Sequence, residues 1–211
     1  MTSKLHISFD LDGTLIDSID LMRQSWEYSA KKLHININFS EYKKYIGLPF
    51  RNIIENLNLI EDYQAIKEAY FYFSSKHLEQ IELHPEAYKI IQYLEKSNVG
   101  WSIITSKPRD TAELILTHFK LQPNYMICPE DTKRGKPFHD PMLLLKDKIH
   151  SDDATILYVG DVLSDLQFSV ESGVGYIHYT KGIGGRISAR VKNKFHQIDE
   201  LMGIKSIIKK L

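Results

Sequence analysis

Short apolar runs alternate with amphipathic stretches along most of this chain, and the alternation breaks once, early, where the text becomes helical only. The first run, Leu5 to Phe9, predicts a β-strand, and residues 99–104, 124–128, 154–159 and 176–179 predict four more. Between them, residues 85–96, 110–119, 141–149 and 163–172 carry apolar positions at helical spacing. In the first of these Ala87, Ile91 and Leu94 share a face, and in the second Leu114 and His118 lie one turn apart. A tail helix is expected over 198–211, burying Leu201, Ile204, Ile208 and Leu211. Asp199 and Glu200 at its start and Lys209 and Lys210 at its end suit a helix dipole. Strands alternating with helices imply a parallel sheet with right-handed crossovers. One feature departs from that pattern. His6 and Ser8 interrupt the first strand, where a strand covered on both faces is expected to be apolar throughout.

The break falls between Asp17 and Leu83, where no strand is read. Asp17-Ser18 signals a helix start, and Met22, Trp26, Ala30 and Leu33 recur at helical spacing. Further helical text covers 39–46, 50–59 and 65–78, interrupted by Gly47-Leu48-Pro49. Four helices in a row predict a separate helical unit, residues 17–83, set into an α/β core made of 1–16 and 84–211. Its tyrosines (Tyr42, Tyr45, Tyr63, Tyr70 and Tyr72) are read as amphipathic packing.

Composition adds exclusions. The chain has 211 residues, 43% hydrophobic and 26% charged, as expected of a soluble globular protein. Lys plus Arg and Asp plus Glu balance at 27 each, so no net field favours nucleic acid or an anionic membrane, and an anionic ligand must be drawn by a local site. No apolar run reaches the roughly 20 residues of a membrane span. The first five residues lack the apolar core of a signal peptide, and the single Cys128 permits no internal disulfide, so a reducing cytoplasm is expected. Cys128 itself reads as a buried structural thiol.

Four groups of residues bear chemistry. Asp10 and Asp12 follow the first strand, at the edge where open α/β sheets bind ligands, and a two-residue spacing lets both address one ligand. Gly13 permits a tight bend beyond them. Thr105 and Ser106 end the second core strand, where hydroxyls and amides bind phosphate or simply cap a helix. Lys136, in Gly135-Lys136-Pro137, offers a charge for an anion or for solvent. Asp161 ends the strand at 154–159 and Asp165 lies one helical turn on. Burying both near Asp10 requires a cation, whereas at a helix start they would serve the dipole.

In this order and at these edges, Asp10-Leu11-Asp12-Gly13-Thr14-Leu15, Thr105-Ser106, Lys136 and Gly160-Asp161 with Asp165 resemble the four motifs of the haloacid-dehalogenase superfamily. That superfamily consists mostly of Mg²⁺-dependent phosphatases, and the resemblance spans nearly the whole chain. It implies a Rossmann-like parallel-sheet core with an inserted α-helical cap, of the type found in phosphoglycolate phosphatases and β-phosphoglucomutases. It implies that Asp10 is the nucleophile that becomes an aspartyl-phosphate and a metal ligand, and that Asp12 is the general acid/base. The main-chain carbonyl of Asp12 and the carboxylate of Asp161 complete the implied Mg²⁺ ligands, with Asp165 positioning them. Thr105, Lys136 and the Ser106 amide match the phosphate-orienting positions, although Ser106 stands where asparagine is more usual. Arg51, just after the Gly47-Leu48-Pro49 turn, resembles a cap residue that could clamp a second anionic group of the substrate; a surface helix arginine is the plain alternative.

The expected function is Mg²⁺-dependent hydrolysis of a small phosphorylated metabolite, with a monomer as the default and a dimer left open. The alternatives are a phosphomutase of the β-phosphoglucomutase type, which needs a second phosphate site, and a pyrophosphatase or nucleotidase. A dehalogenase is disfavoured because it has no use for Asp12 or a metal. A signalling receiver domain would be shorter and would carry its phosphorylated aspartate mid-chain.

Overall fold

The computed structural model describes residues 5–150, 154–187 and 195–211. In chain order the strands are β1 (Leu5–Phe9), β2 (Ile16–Asp17), β3 (Glu82–Leu83), β4 (Gly100–Ile104), β5 (Tyr125–Ile127), β6 (Thr155–Gly160), β7 (Gly175–Tyr179) and β8 (His196–Ile198). Six of them form one sheet in the order β5-β4-β1-β6-β7-β8, every neighbouring pair parallel. The chain leaves β1 for β4 and β5 on one side and then crosses to β6 on the other. The carboxyl end of β1 is therefore the point where strand order reverses, and ligand crevices of open α/β sheets open there.

The helices are α1 (Ile19–Lys32), α2 (Phe39–Lys43), α3 (Phe50–Asn56), α4 (Tyr63–Lys76), α5 (Ala87–Lys96), α6 (Arg109–His118), α7 (Asp140–Ile149), α8 (Leu163–Glu171) and α9 (Gly203–Ile208). One sheet face packs Ile7, Phe9 and Ile103 against α5, α6 and α9; the other packs Ile104 and Tyr158 against α7 and α8. Helices α1 to α4 build a third cluster around Trp26, Tyr42, Phe50 and Ile66.

The polar residues of β1 have a local cause. His6 and Ser8 are both buried, and His6 Nε2 lies 3.0 Å from Ser102 Oγ on the neighbouring strand. Gly100 makes the room, since a Cβ there would stand 2.7 Å from His6 Nδ1. Position for position, β1 is covered on both faces as a central parallel strand should be.

Several expected elements need correction. The antiparallel pair β2–β3, Ile16 against Leu83 and Asp17 against Glu82, lies where no strand was read. It ties the entry of the helical insertion to its exit, and two residues per strand leave no periodicity to detect. On α1 the fully buried residues are Leu21, Ser25, Trp26 and Ser29; of the stripe Met22, Trp26, Ala30 and Leu33, Trp26 is buried and Ala30 and Leu33 pack partly buried against its cluster. Ser25 and Ser29 donate to the carbonyls of Leu21 and Ser25, which hides their hydroxyls along the face that meets α4. Leu114 and His118 are exposed on α6, which buries Ala112, Ile115 and Leu116 instead. The single tail helix is in fact β8 followed by the short α9. Ile198 pairs with Tyr179, and the Asp199 carboxylate accepts from Thr180 Oγ1 and Arg186, so it caps no helix. Leu211 is exposed.

Trp26 is fully buried and donates its indole N–H to the Ile37 carbonyl while packing on Tyr42. Trp26→Ala is expected to cost about 3–5 kcal/mol through the lost ring and the cavity left behind. Urea unfolding followed by circular dichroism checks this, and a loss under about 1 kcal/mol would contradict the packing described.

Candidate active site

Four segments bring their side chains together at the carboxyl end of β1. Asp10 leaves β1, Lys136 comes from the loop before α7, Asp161 follows β6, and Asp165 lies in the first turn of α8. All four are buried. Gly13, at φ +83°, bends the chain after the acid pair, and a Cβ there would stand 2.3 Å from Asp161 Oδ2. Only glycine admits Asp161 so close to this turn.

The ammonium of Lys136 sits at the centre. Its three protons meet three acceptors: Asp10 Oδ1 at 2.8 Å, Asp165 Oδ1 at 2.7 Å and the Tyr158 hydroxyl at 2.9 Å. The other Asp165 oxygen accepts the amides of Asp161 and Val162. Asp165 is thus fully engaged inside the protein. Asp161 accepts from Thr14 Oγ1 at 2.9 Å on one oxygen and from the Ile183 amide at 2.7 Å on the other.

Oxygens of Asp10, Asp161 and Asp165 lie within 4.8 Å of one another. Three carboxylates against one ammonium leave two negative charges without solvent to screen them. Burial accordingly raises the Asp10 carboxyl to about 7, with Lys136 pulling it down and Asp165 pushing it up. Burial also pushes Asp161 well above the usual carboxylate range, and the nearby Asp165 and Asp10 add to it. For Lys136 burial alone would lower the value, but Asp10 and Asp165 outweigh it and keep the ammonium charged. An all-oxygen donor set with this charge deficit fits a hard divalent cation such as Mg²⁺.

Asp12 faces elsewhere. Its carboxylate accepts from Ser18 Oγ at 2.5 Å and pairs with Lys107 at 3.0 Å, so it stands outside the acid cluster. Both Asp10 and Asp12 line one cavity of about 50 Å³, roofed by Met22, Tyr42, Leu48, Phe50, Tyr70 and Phe71 of the helical insertion. Thr105 lines it too, its Oγ1 accepting the Lys107 amide at 3.1 Å. Ser106 also lines it, but its hydroxyl donates to the Gly47 carbonyl at 2.7 Å and so ties core to insertion; only its amide is left for the phosphate role. Arg51 is not among the lining residues. Its exposed side chain rests over the Tyr63 ring and borders a separate groove with Lys133 and Arg134.

Three residues here escaped the sequence reading. Lys107, not Arg51, is the cation whose side chain reaches the cavity; its place directly after Thr105-Ser106 was the available signal. Tyr158 was a polar tip in an otherwise apolar strand. Ile183, which holds Asp161 by its backbone, left no side-chain signal at all.

The model of the family described as haloacid dehalogenase-like hydrolase matches residues 7–179, a span that includes every acid and Lys136 of this cluster. The chain belongs to that family. It is similar to pyrophosphatase PpaX of Oceanobacillus iheyensis, 27% identical over 165 residues that cover 76% of each chain. It is also similar to an N-acetylmuramic acid 6-phosphate phosphatase of Pseudomonas putida, 24% identical over 82% of this chain and 84% of that one. Among solved structures, a hydrolase from Pseudomonas syringae shares the fold with a TM-score of 0.84 at 22% identity, over 99% of both chains. A haloacid dehalogenase-like protein from Streptococcus pneumoniae does so at 0.83 and 18%, over 99% of this chain and 100% of that one. Family and enzyme class, a phosphatase-type hydrolase on an α/β core, agree with the resemblance read from the motifs.

The raised acids give a signed prediction. A carboxyl with a raised folded value stabilises the protein fully below its unfolded value, and that contribution is lost as pH climbs through about 7. Mg²⁺ competes with those protons, so the rise in Tm on adding Mg²⁺ is expected to be larger at about pH 8 than at about pH 5.5. Thermal melts with Mg²⁺ and with EDTA check it; equal increments at both values would mean that these acids do not take up the ion.

Proposed function

We propose that this enzyme hydrolyses a small phosphomonoester through an aspartyl-phosphate on Asp10, with Mg²⁺ as cofactor. The observation that carries the reading is the buried cluster of Asp10, Asp161 and Asp165, of which only Asp10 and Asp165 are paired to the one lysine. The carboxylate of Asp10 attacks phosphorus, an O–P bond forms, and the ester P–O bond breaks. Asp12 gives its proton to the departing oxygen. It then takes a proton from water, which attacks the aspartyl-phosphate and releases inorganic phosphate and free Asp10. Thr105 and the Ser106 amide hold the phosphoryl oxygens, and the Lys136 ammonium, bonded to Asp10, offsets the charge that gathers there, since this chemistry asks mainly for positioning and neutralisation. Asp10, the Asp12 carbonyl and Asp161 would hold Mg²⁺, with Asp165 fixing the amides around them. When bound, the ion offsets the charge on the acids and on the phosphoryl group and favours the ionised Asp10 needed for attack.

The helical insertion serves as a cap over this chemistry. A cavity of about 50 Å³ admits a few water-sized groups and no sugar, so the cap must swing for any substrate to enter. Its apolar ceiling with the single cation Lys107 favours a compact leaving group bearing one further anionic group, as in phosphoglycolate or pyrophosphate. A substrate rich in hydroxyls would leave them buried without partners. The pyrophosphatase reading is supported by the similarity to proteins named pyrophosphatase PpaX. The mutase alternative loses support, because Arg51, its one candidate for a second phosphate site, lies outside the cavity lining.

Two outcomes test the proposal. Asp10→Asn is expected to lower turnover of p-nitrophenyl phosphate by at least about 10⁴-fold, and turnover near the wild-type rate would end the aspartyl-phosphate mechanism. Lys107→Ala is expected to lower kcat/KM for phosphoglycolate or pyrophosphate about 10–100-fold more than for the aryl ester. Equal losses on both would remove Lys107 from substrate selection.

A further inference from the structure

After β7 the chain doubles back through Lys181-Gly182-Ile183-Gly184-Gly185 and passes behind the acid cluster. There the Ile183 amide donates to Asp161 Oδ2 at 2.7 Å. Glycine is required for so close a pass: a Cβ at Gly182 would stand 2.2 Å from the Gly13 carbonyl oxygen and 2.4 Å from Asp161 Cβ. One at Gly184 would stand 2.3 Å from the Asp161 carbonyl oxygen. Within the turn itself the Gly185 amide reaches the Gly182 carbonyl only at 3.4 Å, so the turn needs an outside anchor.

His178 supplies one. It is wholly buried on β7, with Nε2 2.6 Å from the Gly185 carbonyl oxygen. A carbonyl oxygen can only accept, so Nε2 carries the proton. Burial lowers the pKa of this ring despite the pull of the Gly185 carbonyl and Asp165, and the ring is neutral with a bare Nδ1. The Tyr176 hydroxyl, 3.0 Å away, donates to that nitrogen. Neither His178 nor Tyr176 lines the catalytic cavity.

We infer that Tyr176, His178 and the glycine turn form a positioning relay that fixes the Asp161 carboxylate for Mg²⁺. The inference rests on Asp161 being a metal acid, as proposed above. Thr14 holds one oxygen of that carboxylate and the turn holds the other. With both donors in place, the remaining lone pairs keep a fixed direction. Mg²⁺ tolerates little departure from octahedral geometry, so a carboxylate free to rotate binds it less well. His178 touches neither the substrate cavity nor the ion; it acts through Gly185 and Ile183.

The test is a calorimetric titration of Mg²⁺ alone into the substrate-free full-length protein and three variants. His178→Leu removes the Nε2 donor and is expected to weaken Mg²⁺ binding about 10–100-fold. His178→Gln returns an N–H near the same place and is expected to stay within about three-fold of the wild type, with Tyr176→Phe between the two. Both His178 variants melting lower while binding Mg²⁺ like the wild type would reduce His178 to a packing residue and overturn the inference. Should His178→Leu not fold, Tyr176→Phe decides: weakened binding at an unchanged Tm supports the relay, and wild-type binding overturns it. A wild type that binds no Mg²⁺ would overturn the metal reading of the site, and this inference with it, which separates the two failures.

Discussion

The ammonium of Lys136 is the contact on which the rest of the site depends. It is one positive charge, fully buried, facing carboxylates that arrive from β1 and α8. Removing an ammonium and its partners from water costs several kcal/mol per ion, and only close, complete hydrogen bonding returns that. Here the bonding is complete: Asp10, Asp165 and Tyr158 take every proton. The partners are 126, 29 and 22 residues away in sequence, so the cluster forms only when the sheet order β4-β1-β6 is in place. Site and fold are therefore one constraint. The same arrangement leaves an excess of negative charge that protons or a cation must offset; burial first, and the neighbouring acids second, raise the Asp10 and Asp161 carboxyls above the usual carboxylate range. That excess is unfavourable for a resting core and suits the metal and phosphoryl group that the proposed function would bring to it.

The helical insertion answers a different need. Its contact face to the core is mostly apolar, and the Ser106 hydroxyl, donating to the Gly47 carbonyl, ties the two across the cavity, with Ser18 to Asp12 nearer the base. A single neutral hydrogen bond contributes about 1 kcal/mol net, so it orients the closed arrangement without locking it. The β2–β3 pair at the base of the insertion, only two residues long on each side, holds entry and exit together while leaving little structure to resist a hinge.

The parallel sheet, the helical break and the acids at strand ends were legible because each rests on local text. Apolar runs such as Thr155–Gly160 are long enough to declare a strand, and motif residues sit at their ends by the geometry of the fold. What stayed hidden depends on partners far off in sequence. Ser25 and Ser29 look polar on α1 but spend their hydroxyls on their own helix, so the buried face is wider than the apolar stripe alone. Asp199 and Glu200 read as a helix start, yet Thr180 and Arg186 claim the first of them. Arg51 and Lys107 are the sharpest case. Both are cations near a Pro, and nothing local says which one a folded chain turns inward. Backbone donors such as Ile183 cannot be read from side chains at all.

That last contrast bears on substrate choice. Proteins similar to this chain carry names as different as pyrophosphatase and N-acetylmuramic acid 6-phosphate phosphatase, so the similarity does not fix the leaving group. In the proposed mechanism, selection falls to what stands opposite the acid cluster. In this chain that is an aromatic ceiling with Lys107 at its edge, and Lys107 is already paired with Asp12. In the proposed mechanism an anionic leaving group competes with Asp12 for that cation, and in doing so it frees the carboxyl proposed to protonate the departing oxygen. A neutral leaving group gains nothing from Lys107 and leaves Asp12 tied. Binding and proton transfer thus draw on one ion pair, and discrimination between substrates should show in kcat as well as in KM.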